Sequence, residues 1–214
     1  MKTEDIQKLR EDYSQSSLDE SDVDLNPIKQ FKEWLDASIK AKLPEPNAMT
    51  LSTVDSDHKP HSRIVLLKGI EEESFIFYSN YASDKGKEME VNPNVSLCFL
   101  WTELERQVRI DGTVKKISRE ESEEYFKTRP IKSQIGALAS DQSSVIGDRT
   151  ELEKRFEELT AQYSTGNVPM PENWGGYVVD PVDIEFWQGR RSRLHDRIKY
   201  TKEGKSWTIK RLAP

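Results

Sequence analysis

The sequence predicts an antiparallel β-barrel with peripheral helices, and three observations lead to that prediction. Short β-rich segments follow one another between residues 48 and 117 with brief turn-like stretches between them, which is typical of antiparallel meanders. Two later segments carry helix-start signals, and strand-like sequence returns after residue 176. A chain of 214 residues is long enough to bury a real core and suits one domain.

The chain begins with an acidic segment. Residues 1–26 hold eight acidic and three basic side chains, so we expect a partly flexible tail followed by one folded domain over residues 27–214. A helix is predicted at the start of that domain, because Asn26 can cap it and Pro27 suits its first turn. Apolar side chains then repeat at helical spacing, at Ile28, Phe31, Leu35 and Ile39.

Five strands are predicted between this helix and residue 117. Their sequences are AMTLSTVD, SRIVLLK, SFIFYSN, NVSLCFLW and RQVRIDGTVKKI, with turns in DSDHKP, GIEEE and VNPN. The segment SLCFLW lacks alternation, so we expect both of its faces to be covered, by a helix or by another subunit. Its Cys98 is the only cysteine, which excludes a disulfide framework and favours a reducing compartment and a buried, inert thiol.

Two further helices are predicted from capping signals. Ser118 precedes Glu121 by three residues, and Asp148 precedes Glu151 in the same way. Pro130 should break or kink the first of these helices. The second has an apolar stripe that is typical of a helix covering a sheet, at Leu152, Phe156, Leu159 and Tyr163. Strand-like sequence then returns in YVVD, DIEFWQG, RIKYT and SWTIKRL.

Composition and motifs exclude several classes of function. A net charge of -6 argues against a general nucleic-acid binder, which would carry a basic stripe. No window approaches eighteen apolar residues and the first thirteen lack the apolar core of a secretory signal, so we expect a soluble cytoplasmic protein without a membrane partner. Nucleotide-binding glycine loops are missing, and the three histidines and one cysteine lack metal-ligand spacing, so no metal is expected.

One segment concentrates positive charge. FWQGRRSRLHDR, residues 186–197, holds four arginines and one histidine. In a strand, Arg193, His195 and Arg197 would alternate and project from one face. The aromatic residues before them suit a flat ligand with anionic groups, whereas a solvated edge strand would carry similar charge. Both interpretations stay open on these residues alone.

A second candidate cluster comprises Tyr125, Arg129 and Ser133. Tyr125 and Arg129 are four residues apart on a predicted helix and share a face, and Ser133 follows Pro130. Together with Lys68 they could surround the phosphate of a small metabolite, although a helix surface with one ion pair is the alternative. In RIVLLK, Arg63 and Lys68 point to opposite faces of a regular strand, which suggests two anions.

Several segments together resemble the pyridoxine 5'-phosphate oxidase family. They are RIVLLK, ERQVRIDG, YFKTRPIKSQIGALAS, DQSS, WGGY, IEFWQGRRSRLHDR and RLAP, and the resemblance runs from about Leu9 to Pro214. It implies an FMN-dependent oxidase with an antiparallel split β-barrel fold and two active sites between the subunits of a homodimer. Such enzymes oxidise pyridoxine or pyridoxamine 5'-phosphate to pyridoxal 5'-phosphate, and O2 takes the electrons to give H2O2.

The resemblance also implies roles for individual residues. FMN contacts fall on Arg63, Ile64, Val65, Leu66, Leu67, Lys68, Tyr78, Ser79, Lys85, Gln107, Gln142, Ser143, Trp187 and Arg197. Substrate contacts fall on Arg10, Tyr13, Lys68, Tyr125, Arg129, Ser133, Arg193, Leu194 and His195. Arg193 over the substrate ring and His195 hydrogen-bonded to its phenolic oxygen form the expected catalytic pair. The segment LREDY, which contains Arg10 and Tyr13, resembles one that closes over the substrate.

One departure from the family bears on the cofactor. Many relatives have Arg-Lys where this chain has Asp84 and Lys85, which should weaken the binding of the FMN phosphate unless Asp84 turns outward as a helix cap.

Three alternative functions remain beside the oxidase. They are a split-barrel flavin reductase with another substrate, a non-catalytic carrier of pyridoxal 5'-phosphate or flavin, and a β-barrel with a charged edge and no ligand.

Overall fold

The computed structural model describes residues 3–9 and 12–214. Within them the helices are α1 (Thr3–Gln7), α2 (Pro27–Lys40), α3 (Asp84–Val91), α4 (Arg119–Thr128), α5 (Ile131–Ala139) and α6 (Arg149–Gln162). The strands are β1 (Ala48–Val54), β2 (Pro60–Leu66), β3 (Gly69–Glu71), β4 (Ser74–Asn80), β5 (Asn94–Trp101), β6 (Arg106–Lys116), β7 (Trp174–Gln188), β8 (Asp196–Glu203) and β9 (Ser206–Arg211). Two short 3-10 turns cover Thr102–Leu104 and Arg191–Arg193. In this described part of the chain, no helix is long and apolar enough to span a membrane.

The strands form one sheet in the order β2-β1-β5-β6-β7-β4-β3, and β8 pairs with β7 and with β9. The first half of β7 runs antiparallel to β4, with Gly176 opposite Tyr78. Its second half runs antiparallel to β8, with Trp187 opposite Arg197. The predicted antiparallel sheet is thus confirmed, and β7 pairs with the strands that carry Tyr78 and Arg197, two residues expected to contact FMN.

The chain divides into two compact units. The first comprises Met1–Thr50, Leu97–Asp111 and Pro181–Pro214, and the second comprises Leu51–Ser96 and Gly112–Asp180. The boundaries fall inside β1, β5, β6 and β7, so each of these strands contributes residues to both units.

The first unit packs α2 on a core of aromatic rings. Asn26 caps α2 as predicted, because its side chain accepts hydrogen bonds from the first turn. Phe31 is fully buried and its ring centroid lies 4.9 Å from that of Phe99. Trp34 packs edge-on against Phe186, with ring centroids 5.2 Å apart. Burying aromatic side chains of this size supplies much of the free energy that holds such a core together.

Part of the acidic N-terminal segment is held within the first unit. Leu18 is buried, and its backbone N–H donates to Asp196 Oδ2 at 3.1 Å. Arg211, at the end of β9, pairs with both Asp19 and Glu20 at 2.9 Å and 2.7 Å. These bonds place residues 18–20 against β8 and β9.

The second unit packs α4, α5 and α6 around Trp174. Phe126, Ile135, Val168 and Trp174 form its buried cluster, and Phe156, Leu159 and Tyr163 of the predicted stripe on α6 pack against it. Ser118 and Glu121 form the predicted capping box of α4. The helix ends at Thr128, two residues before Pro130, because the residue that precedes a proline avoids helical geometry.

Two details of the strand prediction differ from the structure, and a third stays a prediction. Gly69–Glu71, predicted as a turn, forms β3, and the chain turns at Glu72 and Glu73, which have positive φ. YVVD and DIEFWQG belong to one continuous strand, β7. In β5, Leu97 is buried but Leu100 on the other face is 61% exposed, so cover for that face by another subunit stays a prediction.

Candidate active site

A cavity of about 520 Å³ lies in the second unit, a size that suits a small-molecule ligand. It is bounded by the ends of β2 and β4 and by α3, α4 and α5. Eleven residues predicted to bind cofactor or substrate line it: Ile64, Val65, Leu66, Lys68, Tyr78, Ser79, Lys85, Tyr125, Arg129, Ser133 and Gln142. Residues that are far apart in sequence are therefore brought together around one concave surface.

Arg129 brings a half-buried positive charge to this cavity. It follows the last turn of α4 with extended backbone before Pro130, so it reaches the cavity from a helix end and not from the helix face that we predicted. Its guanidinium carbon lies 4.8 Å from the ring centroid of Trp174. Its Nη1 atom is buried and has no hydrogen-bond partner among the described residues. A buried guanidinium N–H without an acceptor favours binding of an anion.

Hydroxyl groups and a lysine accompany Arg129. Tyr125 of α4 stacks on Tyr78 of β4, with ring centroids 3.8 Å apart. Burial raises the pKa of Tyr125, and it raises the pKa of Tyr78 to about 12, so both phenols keep their protons at neutral pH and can donate hydrogen bonds. Ser133 in the first turn of α5 and Lys68 after β2 line the same cavity. The predicted phosphate-binding set is thus assembled in one place.

Lys85 lies at another edge of the cavity, in the first turn of α3. Its Nζ donates to Ser83 Oγ at 3.2 Å and to Gln142 Oε1 at 3.1 Å. Burial and the nearby charge of Arg63 lower the pKa of Lys85, which shows that cationic groups are crowded here. A phosphate at this helix N-terminus would relieve that crowding.

Asp84, the departure from the family pattern, is exposed and is the first residue of α3. The cap of the helix is Ser83, whose side chain accepts from the Gly86 N–H. The backbone N–H of Asp84 donates to Ser143 Oγ at 3.3 Å. A solvent-exposed carboxylate weakens a neighbouring cation only modestly, because water and salt screen its charge.

Arg63 is held by a buried carboxylate. Its Nη2 lies 3.0 Å from Glu88 Oε2, and its Nη1 donates to the Leu51 carbonyl at 3.2 Å. Burial alone would raise the pKa of Glu88, but hydrogen bonds from Thr53 and His61 and the charge of Arg63 outweigh it and lower that pKa. Arg63 is thus bonded to Glu88, whereas Lys68 lines the cavity, and the two anions suggested by their spacing stay a prediction.

A second group of predicted residues lies in the first unit. A cavity of about 720 Å³ is lined there by Tyr13, Arg190, Arg193 and His195, together with Leu9, Asp12 and Ser192. The Trp187 ring lies 4.6 Å from the His195 ring and 5.7 Å from the Tyr13 ring, measured between centroids. Two guanidinium groups, an imidazole and a phenol thus line this cavity, and the Trp187 ring packs against the last two.

The prediction that Arg193, His195 and Arg197 alternate along a strand is wrong. Strand β8 begins only at Asp196, and Ser192 and Arg193 have left-handed backbone with φ of 58° and 61°. Arg197 is in the strand, where its guanidinium donates to Glu185 at 2.8 Å and 3.0 Å and to the Ala213 carbonyl at 2.8 Å. It therefore does not join Arg193 and His195 on one face.

The other predicted residues are placed as follows. Gln107 is half-buried in β6, Leu67 is buried, Leu194 is 69% exposed, and Ser143 has a positive φ of 72°. Arg10 lies outside the described residues. Within the described part of the chain, no cluster of His, Cys, Asp and Glu side chains could hold a metal ion.

Trp174 is a site residue that the sequence-based assignment missed. It lines the cavity of the second unit and packs under the Arg129 guanidinium. Its only signal in the sequence is its place in the segment WGGY, where a tryptophan precedes two glycines. A Cβ on the second of these, Gly176, would lie 2.3 Å from the Ile117 side chain, so the close packing here requires glycine.

Comparison with known protein families identifies two matching regions of the chain. A family model described as "Pyridoxamine 5'-phosphate oxidase" matches residues 35–163, and one described as "Pyridoxine 5'-phosphate oxidase C-terminal dimerisation region" matches residues 174–214. A pyridoxine/pyridoxamine 5'-phosphate oxidase of Paraburkholderia phymatum is 57% identical over 207 residues, covering 96% of this chain and 97% of that protein. A protein of the same name from Leptospira interrogans is 55% identical, covering 98% of each chain.

Solved structures agree with the sequence comparison. PhzG from Burkholderia lata 383, in complex with tetrahydrophenazine-1-carboxylic acid, is 30% identical with a TM-score of 0.86, covering 91% of this chain and 95% of that chain. An FMN binding protein from Nostoc punctiforme PCC 73102, related to pyridoxamine 5'-phosphate oxidase, has a TM-score of 0.71 at 15% identity, covering 89% of this chain and 98% of that chain. The predicted antiparallel split β-barrel fold is thereby confirmed.

Proposed function

Because the chain belongs to the pyridoxamine 5'-phosphate oxidase family, a family of flavin enzymes, we propose that it binds FMN and oxidises pyridoxine or pyridoxamine 5'-phosphate to pyridoxal 5'-phosphate. O2 is the electron acceptor in this proposal and H2O2 the second product. The lone, half-buried Cys98 suits a reducing compartment, and we place the reaction in the cytoplasm.

The observation that carries the proposal is the buried, unpartnered Nη1 of Arg129, for which the described residues offer no acceptor. Tyr125, Ser133 and Lys68 line the same cavity, so four donors are available to a phosphate dianion. Charge-assisted hydrogen bonds contribute about 1.5–3 kcal/mol each, and three or four of them suffice for micromolar binding. A neutral vitamer without phosphate would leave the Arg129 N–H unsatisfied.

The other cationic edge of the cavity suits the FMN phosphate. Lys85 in the first turn of α3 and the amide side chain of Gln142 line the cavity there and offer donors, and the nearby charge of Arg63 adds to the positive potential. When bound, FMN supplies the redox chemistry, taking a hydride from the substrate and passing the electrons to O2. The task of the protein is then to bind, orient and exclude water.

Arg193 and His195 are the residues proposed to orient the substrate ring. Arg193 carries a guanidinium that can stack over a flat ring, and His195 can donate a hydrogen bond to the phenolic oxygen. Burial and the charge of Arg193 lower the pKa of His195, so the imidazole is neutral at pH 7. A neutral imidazole has one N–H donor, and neither residue has to act as a strong base.

The active protein is proposed to be a homodimer with two active sites at the subunit interface. Residues 174–214 match a dimerisation region, which supports a homodimer. Leu100 on β5 is 61% exposed, and a partner subunit would bury such an apolar side chain.

A member of the family with a different substrate is the principal alternative. PhzG was solved with tetrahydrophenazine-1-carboxylic acid, a ligand named for a carboxylic acid and not for a phosphate. The four-donor set around Arg129 favours the phosphorylated substrate in this chain. A carrier without turnover is the second alternative, and it differs from an oxidase only in what happens after the ligand binds.

Visible absorption of the purified protein tests these alternatives. We expect a yellow protein whose flavin absorption bleaches when pyridoxine 5'-phosphate is added without oxygen and returns when air is admitted. Unphosphorylated pyridoxine at the same concentration is the control and should bleach it far more slowly. A yellow protein that pyridoxine 5'-phosphate leaves unchanged would point to a carrier or to another substrate, and a colourless protein that takes up no FMN would exclude the flavin assignment.

A further inference from the structure

Asp196 connects three separate segments of the first unit. Its Oδ2 accepts from Arg190 Nη1 at 3.0 Å and from the Leu18 backbone N–H at 3.1 Å. Its Oδ1 accepts from Arg211 Nη1 at 2.9 Å. The side chain is only 15% exposed, and the family resemblance assigned it no role. One carboxylate thus bonds to the N-terminal segment, to the end of β9 and to the loop that precedes β8.

That loop, residues 189–195, carries both proposed catalytic side chains. Ser192 and Arg193 adopt left-handed backbone without being glycine, which is unfavourable unless surrounding contacts impose it. The Arg190 side chain is bound to Asp196, and its backbone N–H donates to His195 Nδ1 at 3.1 Å. Arg190 therefore connects the carboxylate to the imidazole.

The bond from Arg190 decides the tautomer of His195. A neutral imidazole that accepts a hydrogen bond at Nδ1 carries its hydrogen on Nε2. His195 can then act toward a ligand only as a donor through Nε2. A phenolic oxygen is an acceptor that matches this donor, which links the loop geometry to the proposed substrate.

We propose that Asp196 is a positioning residue: by fixing Arg190, it holds neutral His195 as a hydrogen-bond donor through Nε2 and keeps Arg193 in its left-handed conformation. The catalytic consequence of this inference rests on the proposed function. The positioning itself is a property of the chain and can be measured without turnover.

The same arrangement depends on pH. The titratable or charged groups around His195 are Arg193, Arg190 and Asp196 beside it, and Tyr13 and Asp12 of the N-terminal segment, which line the same cavity. Burial and the charge of Arg193 lower the pKa of His195, and Asp196 raises it. When His195 is protonated, its Nδ1 also carries a hydrogen and can no longer accept the hydrogen bond from the Arg190 backbone N–H. The arrangement therefore holds at neutral pH and is lost as the pH falls through that lowered pKa.

The test uses the FMN-loaded protein and two variants, Asp196→Asn and Arg190→Met. Asp183→Asn is the matched control, because Asp183 is also a partly buried carboxylate with an ion pair, to Lys199 at 3.2 Å. Nitrogen-15 NMR of His195 should show the Nε2–H tautomer alone in the wild type and in the control. Both test variants should show a mixture of tautomers, and in Asp196→Asn the His195 titration should move to lower pH.

Kinetics with pyridoxine 5'-phosphate supply the second readout. We expect kcat to fall about tenfold in each variant, the size expected for one lost charge-assisted hydrogen bond, with KM and FMN retention nearly unchanged. The double variant should be no worse than the more impaired single variant, because the contribution made through Arg190 is already lost in each.

The positioning role of Asp196 would be overturned if His195 of the wild-type protein carried its hydrogen on Nδ1. It would also be overturned if the effects of the two substitutions on kcat were additive in the double variant. If Asp196→Asn does not fold, Arg190→Met alone decides, because it keeps the carboxylate and the backbone N–H. If the protein does not oxidise pyridoxine 5'-phosphate, the proposed function fails, and the tautomer comparison still decides the role of Asp196.

Discussion

Among single residues, Arg129 combines burial, charge and an unsatisfied donor. Its guanidinium packs over Trp174, and burial lowers its pKa, yet an arginine stays protonated at any physiological pH. The positive charge is thus permanent and fixed in place. A phosphate contacts it equally in the bound substrate and in the transition state, so its contribution should be to binding alone.

Arg129→Ala should therefore raise KM for pyridoxine 5'-phosphate by roughly 10- to 100-fold, the value of one charge-assisted hydrogen bond, and leave kcat within about threefold. Steady-state kinetics measure both constants. Lys132→Ala is the control, because Lys132 is an exposed cation of α5. A fall in kcat with unchanged KM would contradict the phosphate assignment, and so would an equal loss with unphosphorylated pyridoxine.

The residues that sequence could identify are those whose partners are near in the chain. Tyr125, Arg129 and Ser133 lie within nine residues of one another, and the end of α4 and the start of α5 bring them together. Asp196 and Glu88 gave no such signal. Asp196 bonds to Leu18 and Arg211, and Glu88 to Thr53 and Arg63; these contacts exist only in the folded chain.

At the scale of elements, the starts of α2, α4 and α6 were predicted correctly because they are encoded locally, whereas α1 and α5 were not predicted. Asn26, Ser118 and Asp148 each cap a helix through their own side chain. The loop 189–195 was mistaken for a strand, because positive φ at Ser192 and Arg193 has no local signal when neither residue is glycine. Tertiary bonds from Asp196 and Arg190 impose that conformation, and sequence periodicity does not report them.

Gly189 sets how closely the N-terminal segment approaches this loop. A Cβ there would lie 2.8 Å from Tyr13 Cβ and 2.9 Å from Glu105 Cβ. Gly189→Ala should displace Tyr13 and destabilise the protein by about 1–3 kcal/mol, as overpacking does. Thermal unfolding measures the loss, and tryptophan fluorescence reports the movement of Tyr13 away from Trp187.

Gly147→Ala is the control for this change, since a Cβ there meets only the end of the flexible Glu151 side chain, at 3.4 Å. Equal Tm values for Gly189→Ala and the wild type would show that the segment around Tyr13 gives way without cost, and the close approach would then have no structural importance.

At the scale of the whole molecule, the proposed dimer makes a prediction about mixtures of two variants that are each impaired at substrate concentrations below KM. If residues of both chains build each active site, Arg129→Ala and Arg193→Leu should complement each other once their subunits exchange. Half of the dimers would be mixed and each would hold one intact site, so roughly a quarter of wild-type activity should return at substrate concentrations below KM. Activity no greater than the sum of the two variants would mean that each site comes from one chain.

The unsatisfied Arg129 Nη1 also has a consequence for how the protein should be handled. Any small oxyanion that enters the cavity and accepts from this buried N–H, for which the described residues offer no acceptor, binds the folded state alone and so stabilises it. The Tm should therefore be higher in phosphate buffer than in a chloride buffer of equal ionic strength, and Arg129→Ala should abolish this difference in Tm. The choice of buffer anion would then affect how long the purified protein stays folded during storage.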